Sequence, residues 1–195
     1  MTTYVLATAN AHKAEEIRAI LGALGHDVVP RPSDVPDVDE TSATLEGNAL
    51  LKARALVVAT GQPALADDTG LFVDALDGRP GVRSARYAGA GASDADNVKK
   101  LLAEMADVPE VRRGAHFRSV IALAFPDDSS FTVEGVLQGR ITHRPRGREG
   151  FGYDPIFELD DSSGLTLAEL TPEQKNVLSH RGRALRALAE KLTSQ

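Results

Sequence analysis

Two adjacent aspartates, Asp67 and Asp68, interrupt the apolar stretch ALADDTGLFVDAL at residues 64–76. A buried carboxylate is costly unless it is paired with a cation, hydrogen-bonded or bound to a metal ion. Because successive residues of a strand face opposite ways, at most one of the two can readily face a given cleft, and the other should accept hydrogen bonds from its neighbours. A carboxylate at a strand end can hold Mg²⁺ or activate water, and the pair therefore indicates metal-binding or hydrolytic chemistry.

Two other interpretations of this stretch remain open. Both acids can cap a sharp turn at Thr69-Gly70, or Asp67 can be a nucleophile, since DDTG distantly resembles the D-K-T-G motif of aspartyl-phosphate enzymes. That motif has lysine where Asp68 stands, which weighs against the second interpretation. The chain offers many carboxylates and no thiols, and oxygen ligands suit hard divalent cations.

A second group of polar residues lies where the first predicted strand meets the first predicted helix, in LATANAHK at residues 6–13. Free backbone N–H groups and the helix dipole make such a junction a natural site for an anion. Thr8 and Asn10 can donate hydrogen bonds, and Lys13 can add a full charge. This stretch alone favours a simpler interpretation, in which Asn10 only caps the helix and Lys13 is solvated.

Four hydrogen-bond donors lie close together near the C-terminus: Lys175, Ser179, His180 and Arg181. One helix is predicted from a capping box at Thr171 to about Leu192, and Arg181 falls inside its apolar stripe. A guanidinium there needs a partner, either a buried acid such as Asp67 or solvent that it reaches by snorkelling. Together the four donors suit an electron-rich ligand.

The stretch FGYDP at residues 151–155 places an aromatic ring near an acid. Phe151 can stack on a nucleobase, and Asp154 can accept a hydrogen bond from a ring N–H. The same stretch also fits the edge of a core strand that Pro155 ends, so by itself it does not decide between the two interpretations.

The predicted helices and strands that carry these residues alternate along the chain, and their order indicates an α/β fold. Helices alternate with strands through the first half of the chain, and PALADD and GLFVDAL are predicted as two strands separated by a turn. Ser93 is predicted to cap a third helix, and a long antiparallel hairpin is expected from residue 114 to 140. This alternation followed by a hairpin favours a mixed sheet.

Composition restricts the class of protein further. The 195 residues suggest one domain or two closely packed lobes, and the net charge of −6 makes the chain a poor general binder of nucleic acid or anionic membranes. The N-terminus lacks the pattern of a signal peptide, and no apolar window is long enough to span a membrane. A cytoplasmic protein is therefore expected.

Five motifs occur in order along nearly the whole chain: ATANAHK, ETSATLEGNALLKA, ADDTGLFVDALDGRPGVRSARYAG, GFGYDPIF and EQKNVLSHRGRAL. Together they make the chain similar to the inosine triphosphate pyrophosphatase family, hydrolases of non-standard purine nucleoside triphosphates. The resemblance implies one domain over residues 1–195, with an elongated mixed sheet flanked by helices, two lobes and a central substrate cleft. It also implies a homodimer and a Mg²⁺-dependent attack of water on dITP, ITP or XTP that releases a monophosphate and pyrophosphate.

The resemblance also implies roles for individual residues. Asp68 matches the catalytic acid, taken to activate water or to hold the metal with Glu40, and Lys52 matches a lysine that faces the phosphates. Gly47 stands where the family commonly has an acid, with Glu46 one place earlier. The implied substrate-binding residues are Thr8, Ala9, Asn10, Ala11, His12, Lys13, Lys52, Thr69, Phe151, Gly152, Tyr153, Asp154, Lys175, His180 and Arg181.

The residues that the resemblance assigns to base binding also suggest which purine the protein selects. Lys175 or Arg181 can donate to a purine 6-keto oxygen, whereas adenine presents an amino donor at that position and leaves both donors unpaired. Two alternatives are a non-catalytic nucleotide-binding module and a hydrolase of modified pyrimidines. The acid pair with Glu40 argues against the first, and the motifs SHR and FGYD weigh against the second.

Overall fold

A computed structural model describes residues 3–8 and 10–194, and its seven strands form one mixed sheet. The order across the sheet is β2-β1-β3-β5-β6-β7, with β4 paired to β3. Strand β1 is parallel to β2 and β3, whereas β4 is antiparallel to β3 and β7 to β6. The strands are β1 (Thr3–Leu6), β2 (Asp27–Pro30), β3 (Ala64–Val73), β4 (Pro80–Gly81), β5 (Gly114–Ala124), β6 (Ser130–Ile141) and β7 (Phe157–Leu159).

Helices flank the sheet, as the predicted α/β class requires. The side chains of Asn10, Thr44 and Ser93 each accept a backbone hydrogen bond at the start of the first three helices, which confirms the predicted caps at Asn10 and Ser93. Gly61 ends the second helix in the left-handed conformation, with φ 66°. The helices are α1 (Ala11–Ala23), α2 (Leu45–Thr60), α3 (Asp94–Glu104), α4 (Pro172–Leu178) and α5 (His180–Thr193).

The predicted turn at Thr69-Gly70 is wrong, because β3 continues through both residues as a single strand from Ala64 to Val73. A Cβ atom on Gly70 would lie 2.6 Å from the carbonyl oxygen of Gly81, which belongs to β4. Glycine at this position therefore permits close pairing of two strands rather than a change of direction.

The single C-terminal helix predicted from Thr171 is also wrong. Thr171 does cap α4 in a capping box with Gln174, but the helix ends at Leu178, and Ser179 has extended backbone angles of φ −66° and ψ 158°. Serine competes for backbone hydrogen bonds and is neutral to unfavourable inside helices, which favours a break at this point. Lys175 and Ser179 consequently do not share a helix face.

The chain forms two compact units, each with its own apolar core. Unit 1 contains the described residues within 1–68, 119–135 and 180–195, and unit 2 contains residues 69–118 and 136–179. Fully buried side chains in unit 1 include Ile17, Leu21, Leu65, Ile121 and Leu185. Those in unit 2 include Leu71, Val73, Leu101, Ile141 and Phe157. No helix within residues 3–8 and 10–194 is long and apolar enough to cross a membrane.

Candidate active site

The two aspartates of β3 are both buried, with 2% and 5% of Asp67 and Asp68 exposed. Asp67 accepts a hydrogen bond at 2.5 Å from the hydroxyl of Ser119 on its Oδ1 atom. Its Oδ2 atom lies 2.6 Å from the ammonium of Lys13 and 3.4 Å from the guanidinium of Arg181. The prediction that one acid of the pair is held by packed neighbours is confirmed for Asp67.

Asp67 is ionised in this environment. Burial is the largest single influence on its pKa and raises it, but the charges and hydrogen bonds of Arg181, Lys13 and Ser119 together lower that pKa well below its usual range. A carboxylate whose pKa is lowered in this way is a weak nucleophile, which leaves Asp67 poorly suited to attack a phosphorus atom. This arrangement argues against the aspartyl-phosphate interpretation of the motif DDTG.

Asp68 belongs to a second cluster, which Lys52 organises. The ammonium of Lys52 lies 3.0 Å from Oδ1 of Asp68 and 3.0 Å from Oε1 of Glu40, and it also donates at 2.8 Å to the backbone carbonyl of Asp67. The side-chain amide of Asn48 donates at 3.3 Å to Oδ2 of Asp68. One lysine therefore joins the two acids to which the resemblance assigns metal binding.

The electrostatics of this cluster differ from those around Asp67. Burial raises the pKa of Asp68, Lys52 and Lys13 oppose that effect, and the nearby charge of Glu40 adds to it, so the net pKa is raised. Burial lowers the pKa of Lys52, but the acids Asp68 and Glu40 more than offset it, so the net pKa of Lys52 is also raised. Lys52 is thus a cation shared by two carboxylates.

The donor set around Lys52 fits a magnesium ion. Mg²⁺ sites in proteins commonly use one or two carboxylates, with the remaining positions taken by water and substrate phosphates. Glu40 and Asp68 already attract the same cationic group, so their oxygens converge on one volume. Within the described part of the chain, no group of three or more His, Cys, Asp or Glu side chains converges, so phosphates and water would complete the coordination.

The predicted anion loop precedes α1 in unit 1. Asn10 caps the helix, and its own N–H donates at 3.2 Å to the hydroxyl of Thr8. The interpretation of Lys13 as a solvated residue is wrong, because its side chain is only 18% exposed and pairs with Asp67. Ala11 and His12 lie exposed in the first helical turn. Ala9 lies outside the described residues.

Arg181 is fully buried at the start of α5 and pairs with two acids, Glu16 of α1 and Asp67 of β3. Burial lowers the pKa of the guanidinium, but these two carboxylates raise it above its usual value. The predicted ion pair with Asp67 is therefore confirmed, and the snorkelling alternative is wrong. His180 is buried beside it at the first position of α5.

Unit 2 holds a separate polar cluster around Asp154, at the point where the sequence suggested a strand edge. Residues 151–153 are a loop, Asp154 begins a short turn, and the strand starts only at Phe157, so the strand-edge interpretation is wrong. Oδ2 of Asp154 accepts from the buried ammonium of Lys175 at 2.6 Å and from the backbone N–H of Phe151 at 2.9 Å. The same ammonium lies 4.5 Å from the centre of the Phe151 ring.

The surrounding loop of unit 2 is tightly held. Gly150 has φ 74°, and a Cβ atom there would lie 2.2 Å from Oδ2 of Asp154, so only glycine lets the loop close on this carboxylate. The hydroxyl of Tyr153 donates at 2.9 Å to the carbonyl of Ser84. The N–H of Gly152 donates at 2.8 Å to Asp94. Thr69, the remaining predicted contact, is half-buried in β3.

Three residues of these clusters were not predicted: Glu16, Asn48 and Ser119. Glu16 has a weak sequence signal, since it lies three positions after Lys13 on the same helix. Ser119 is a single hydroxyl in the apolar run SVIALA, and Asn48 is a buried amide in an apolar helix. Ser119 and Asn48 are both buried polar residues, and such residues need hydrogen-bond partners.

Gly47 also has a local explanation. A Cβ atom at this position would lie 2.0 Å from Oγ of Ser42, so a side chain would force Ser42 to move. The N–H of Ser42 donates at 2.9 Å to the side chain of Asn48, which in turn donates to Asp68. A side chain at position 47 would therefore have to displace the side chain of Ser42, whose backbone N–H helps to hold Asn48.

The fold and the site together define a mixed α/β protein in which buried carboxylates lie beside lysines. The sequence profile of the Ham1 family matches residues 4–191, and the chain belongs to this family. The resemblance that the five motifs suggested is therefore confirmed.

Curated relatives match over nearly the full length. The chain is 52% identical over 192 residues to a dITP/XTP pyrophosphatase of Streptomyces coelicolor, with 96% of each chain covered. It is 50% identical over 194 residues to a dITP/XTP pyrophosphatase of Geobacter sulfurreducens, with coverage of 98% of this chain and 97% of the relative.

Solved structures of the family agree with the fold. A HAM1 protein from Coxiella burnetii superposes with a TM-score of 0.90 at 43% identity and covers 100% of both chains. A nucleoside-triphosphatase, also described as a dITP/XTP pyrophosphatase, from Mycobacterium abscessus has a TM-score of 0.76 at 46% identity, with 96% and 97% coverage. The predicted α/β class with a mixed sheet is confirmed.

Proposed function

We propose that this chain hydrolyses the non-standard purine nucleoside triphosphates dITP, ITP and XTP to the nucleoside monophosphate and pyrophosphate. The observation that carries the proposal is the cluster in which Lys52 lies between Asp68 and Glu40, with Lys13 and the start of α1 in the same unit. The names of relatives at 50% and 52% identity, dITP/XTP pyrophosphatases, support the same activity.

Lys13, Lys52 and the N-terminal turn of α1 are proposed to bind the triphosphate. A triphosphate carries about four negative charges near neutral pH, so a few converging cations bind it even in a chain of net charge −6. The exposed first turn of α1 adds backbone N–H groups and the positive end of the helix dipole. Thr8 to Lys13 form this proposed loop.

Glu40 and Asp68 are the residues that would hold Mg²⁺. The ion, when bound, would neutralise phosphate charge and polarise the bond that is broken. Asp68 is proposed as the group that accepts the proton of the attacking water, because its buried carboxylate lies beside Lys52 and Glu40 in this cluster. Asn48 fixes the orientation of the Asp68 carboxylate through its amide hydrogen bond.

The residues proposed to bind the base are those that the resemblance implies: Thr69, the loop from Phe151 to Asp154, Lys175, His180 and Arg181. A buried lysine that already donates to Asp154 can also donate to a purine 6-keto oxygen. An adenine amino group would leave that donor unpaired, and such mismatches reject an analogue by up to ~10⁴-fold.

One experiment separates the candidate activities. The protein is incubated with dITP and Mg²⁺, and the products are separated by ion-exchange chromatography. The proposal expects dIMP and pyrophosphate. Orthophosphate with dIDP would favour the aspartyl-phosphate chemistry, and binding of dITP with no turnover would favour a nucleotide-binding module. Turnover of a modified pyrimidine triphosphate in preference to dITP would favour the third alternative.

Two further properties complete the proposal. We infer a homodimer, which light scattering during size-exclusion chromatography tests directly, since a monomer would elute with a mass near 20.7 kDa. We also propose that the enzyme acts in the cytoplasm, where removal of dITP and XTP cleanses the pool of nucleotides that polymerases use.

A further inference from the structure

Ser119 is a buried residue that the proposed reaction does not use. It lies in β5 within unit 1, is fully buried, and its hydroxyl donates to Oδ1 of Asp67 at 2.5 Å. A hydrogen bond from a hydroxyl to an ionised carboxylate is among the stronger hydrogen bonds in proteins. Ser119 therefore holds one oxygen of Asp67 and thereby sets the direction of the other.

The other oxygen of Asp67 serves two cations at once. Oδ2 lies 2.6 Å from Lys13 and 3.4 Å from Arg181, so both cations contact the same atom, and Glu16 holds Arg181 from a second direction. Rotation of the carboxylate about its χ2 angle would move Oδ2 relative to both partners. The hydroxyl of Ser119 opposes that rotation, because it would lose its own acceptor.

We propose that Ser119 is a positioning residue that, through Asp67, fixes Lys13 for the triphosphate and Arg181 for the base. The proposal rests on the proposed function, which assigns those ligand groups to Lys13 and Arg181. Ser119 does not touch substrate or the reacting atoms in this account. Its effect is to couple recognition of the two ends of a nucleotide through one carboxylate oxygen.

The first test is Ser119→Ala, which removes the hydroxyl and introduces no bulk. We expect the KM for dITP to rise about threefold to tenfold and kcat to change less, since a lost hydrogen bond to a charged group is worth about a factor of ten. The preference for dITP over dATP, measured as the ratio of kcat/KM values, should fall at the same time. An unchanged KM and an unchanged preference would overturn the proposal.

Ser84→Ala is the matched control. Ser84 is also buried, but its hydroxyl donates to the carbonyl of Gly81 at 2.6 Å and accepts from the N–H of Leu71 at 2.8 Å, so no charged group depends on it. This variant should unfold at a lower temperature and keep the KM and the base preference of the wild type. If it reproduces the kinetic effects of Ser119→Ala, general loosening of the fold explains them and the proposal fails.

A double-mutant cycle tests whether Ser119 acts through its neighbours. Ser119→Ala is measured in the wild-type background and in a Lys13→Met background, with kcat/KM for dITP as the readout. If Ser119 positions Lys13, its removal should cost at least about threefold less once Lys13 is gone, since coupled residues are non-additive. Equal effects in both backgrounds would contradict the proposal.

Failure of the proposed function would be distinguishable from failure of this inference. If the wild type yields no dIMP and pyrophosphate, the proposed activity fails regardless of Ser119. The role of Ser119 is then judged by calorimetric titration of dITP and dATP into the wild type and the variant. Weaker binding of dITP with reduced preference over dATP would support it, and equal affinities would overturn it.

Discussion

The ammonium of Lys52 lies 3.0 Å from Oδ1 of Asp68, and the pair is largely buried. The same ammonium reaches Glu40 at 3.0 Å, so one cation stabilises two carboxylates that would otherwise repel each other. This cluster is the place where we propose that Mg²⁺ and the triphosphate bind.

Substitution of Asp68 by asparagine tests its chemical role. Asp68→Asn keeps the shape of the side chain but removes its charge and its capacity to accept a proton, so kcat for dITP should fall by about 10²- to 10⁴-fold. Affinity for dITP, measured by calorimetry in the absence of turnover, should change little. Loss of the cooperative thermal transition would instead make Asp68 a structural residue.

Asp67 should make the free energy of unfolding depend on pH under acidic conditions. Its folded pKa lies below the value of about 3.9 in an unfolded chain, so the folded state binds fewer protons than the unfolded state. Its stabilising contribution is therefore complete above the unfolded pKa and is lost as the pH falls through the folded pKa.

Urea unfolding measured between pH 7 and pH 3 checks this contribution. The wild type should lose free energy of unfolding below about pH 4, and Asp67→Asn should show a shallower loss. The variant should also be less stable at pH 7 by about 3–5 kcal/mol, because Lys13 and Arg181 lose their common partner. Parallel pH curves for the two proteins would rule out this role of Asp67.

Lys175 should contribute to the choice of base. Lys175→Met keeps most of the length of the side chain and removes the donor, so kcat/KM for dITP should fall by about tenfold or more while the value for dATP falls less. Lys100→Met is a matched control, because Lys100 also lies over an aromatic ring, 4.4 Å from the centre of Tyr87. An equal loss for both substrates in Lys175→Met would remove Lys175 from base selection.

A substitution at Gly70 tests whether β3 continues through this position as one strand and pairs closely with β4. A Cβ atom at this position meets the backbone carbonyl of Gly81, which cannot turn aside as a side chain can. Gly70→Ala should therefore destabilise the protein by about 1–3 kcal/mol, measured by urea unfolding. Gly22→Ala is the control, since open space surrounds that position in α1. Equal stabilities of the two variants would show that β3 and β4 are not this close.

Local signals in the sequence predicted the caps at Asn10, Ser93 and Thr171, because capping depends on neighbours within a few residues. The same local signals failed at Gly70 and Ser179. At Gly70, contact with a strand ten residues later decided the conformation, and at Ser179 the backbone left the helix although the apolar pattern continued. Contacts that are distant in sequence leave no periodic trace.

The acidic and basic side chains of the site were predicted more completely than the polar side chains that contact them. Asp68, Glu40 and Lys52 stand in motifs, so the resemblance placed them together before any contact was known. Ser119 and Asn48 interact with the same acid pair from distant segments, and nothing in their neighbourhood distinguishes them from ordinary polar residues. Their roles depend on the register of β5 against β3 and of α2 against the sheet, which the sequence pattern does not specify.

We propose that the Asp68–Lys52–Glu40 cluster catalyses attack of water on a non-standard purine triphosphate. Phosphorus-31 NMR of dITP with Mg²⁺ and the protein follows that reaction directly. With the wild type, we expect the signals of dIMP and pyrophosphate to replace those of the triphosphate. With Asp68→Asn, we expect the triphosphate signals to persist. Orthophosphate with dIDP as the first products, or equal turnover by Asp68→Asn, would contradict this proposal.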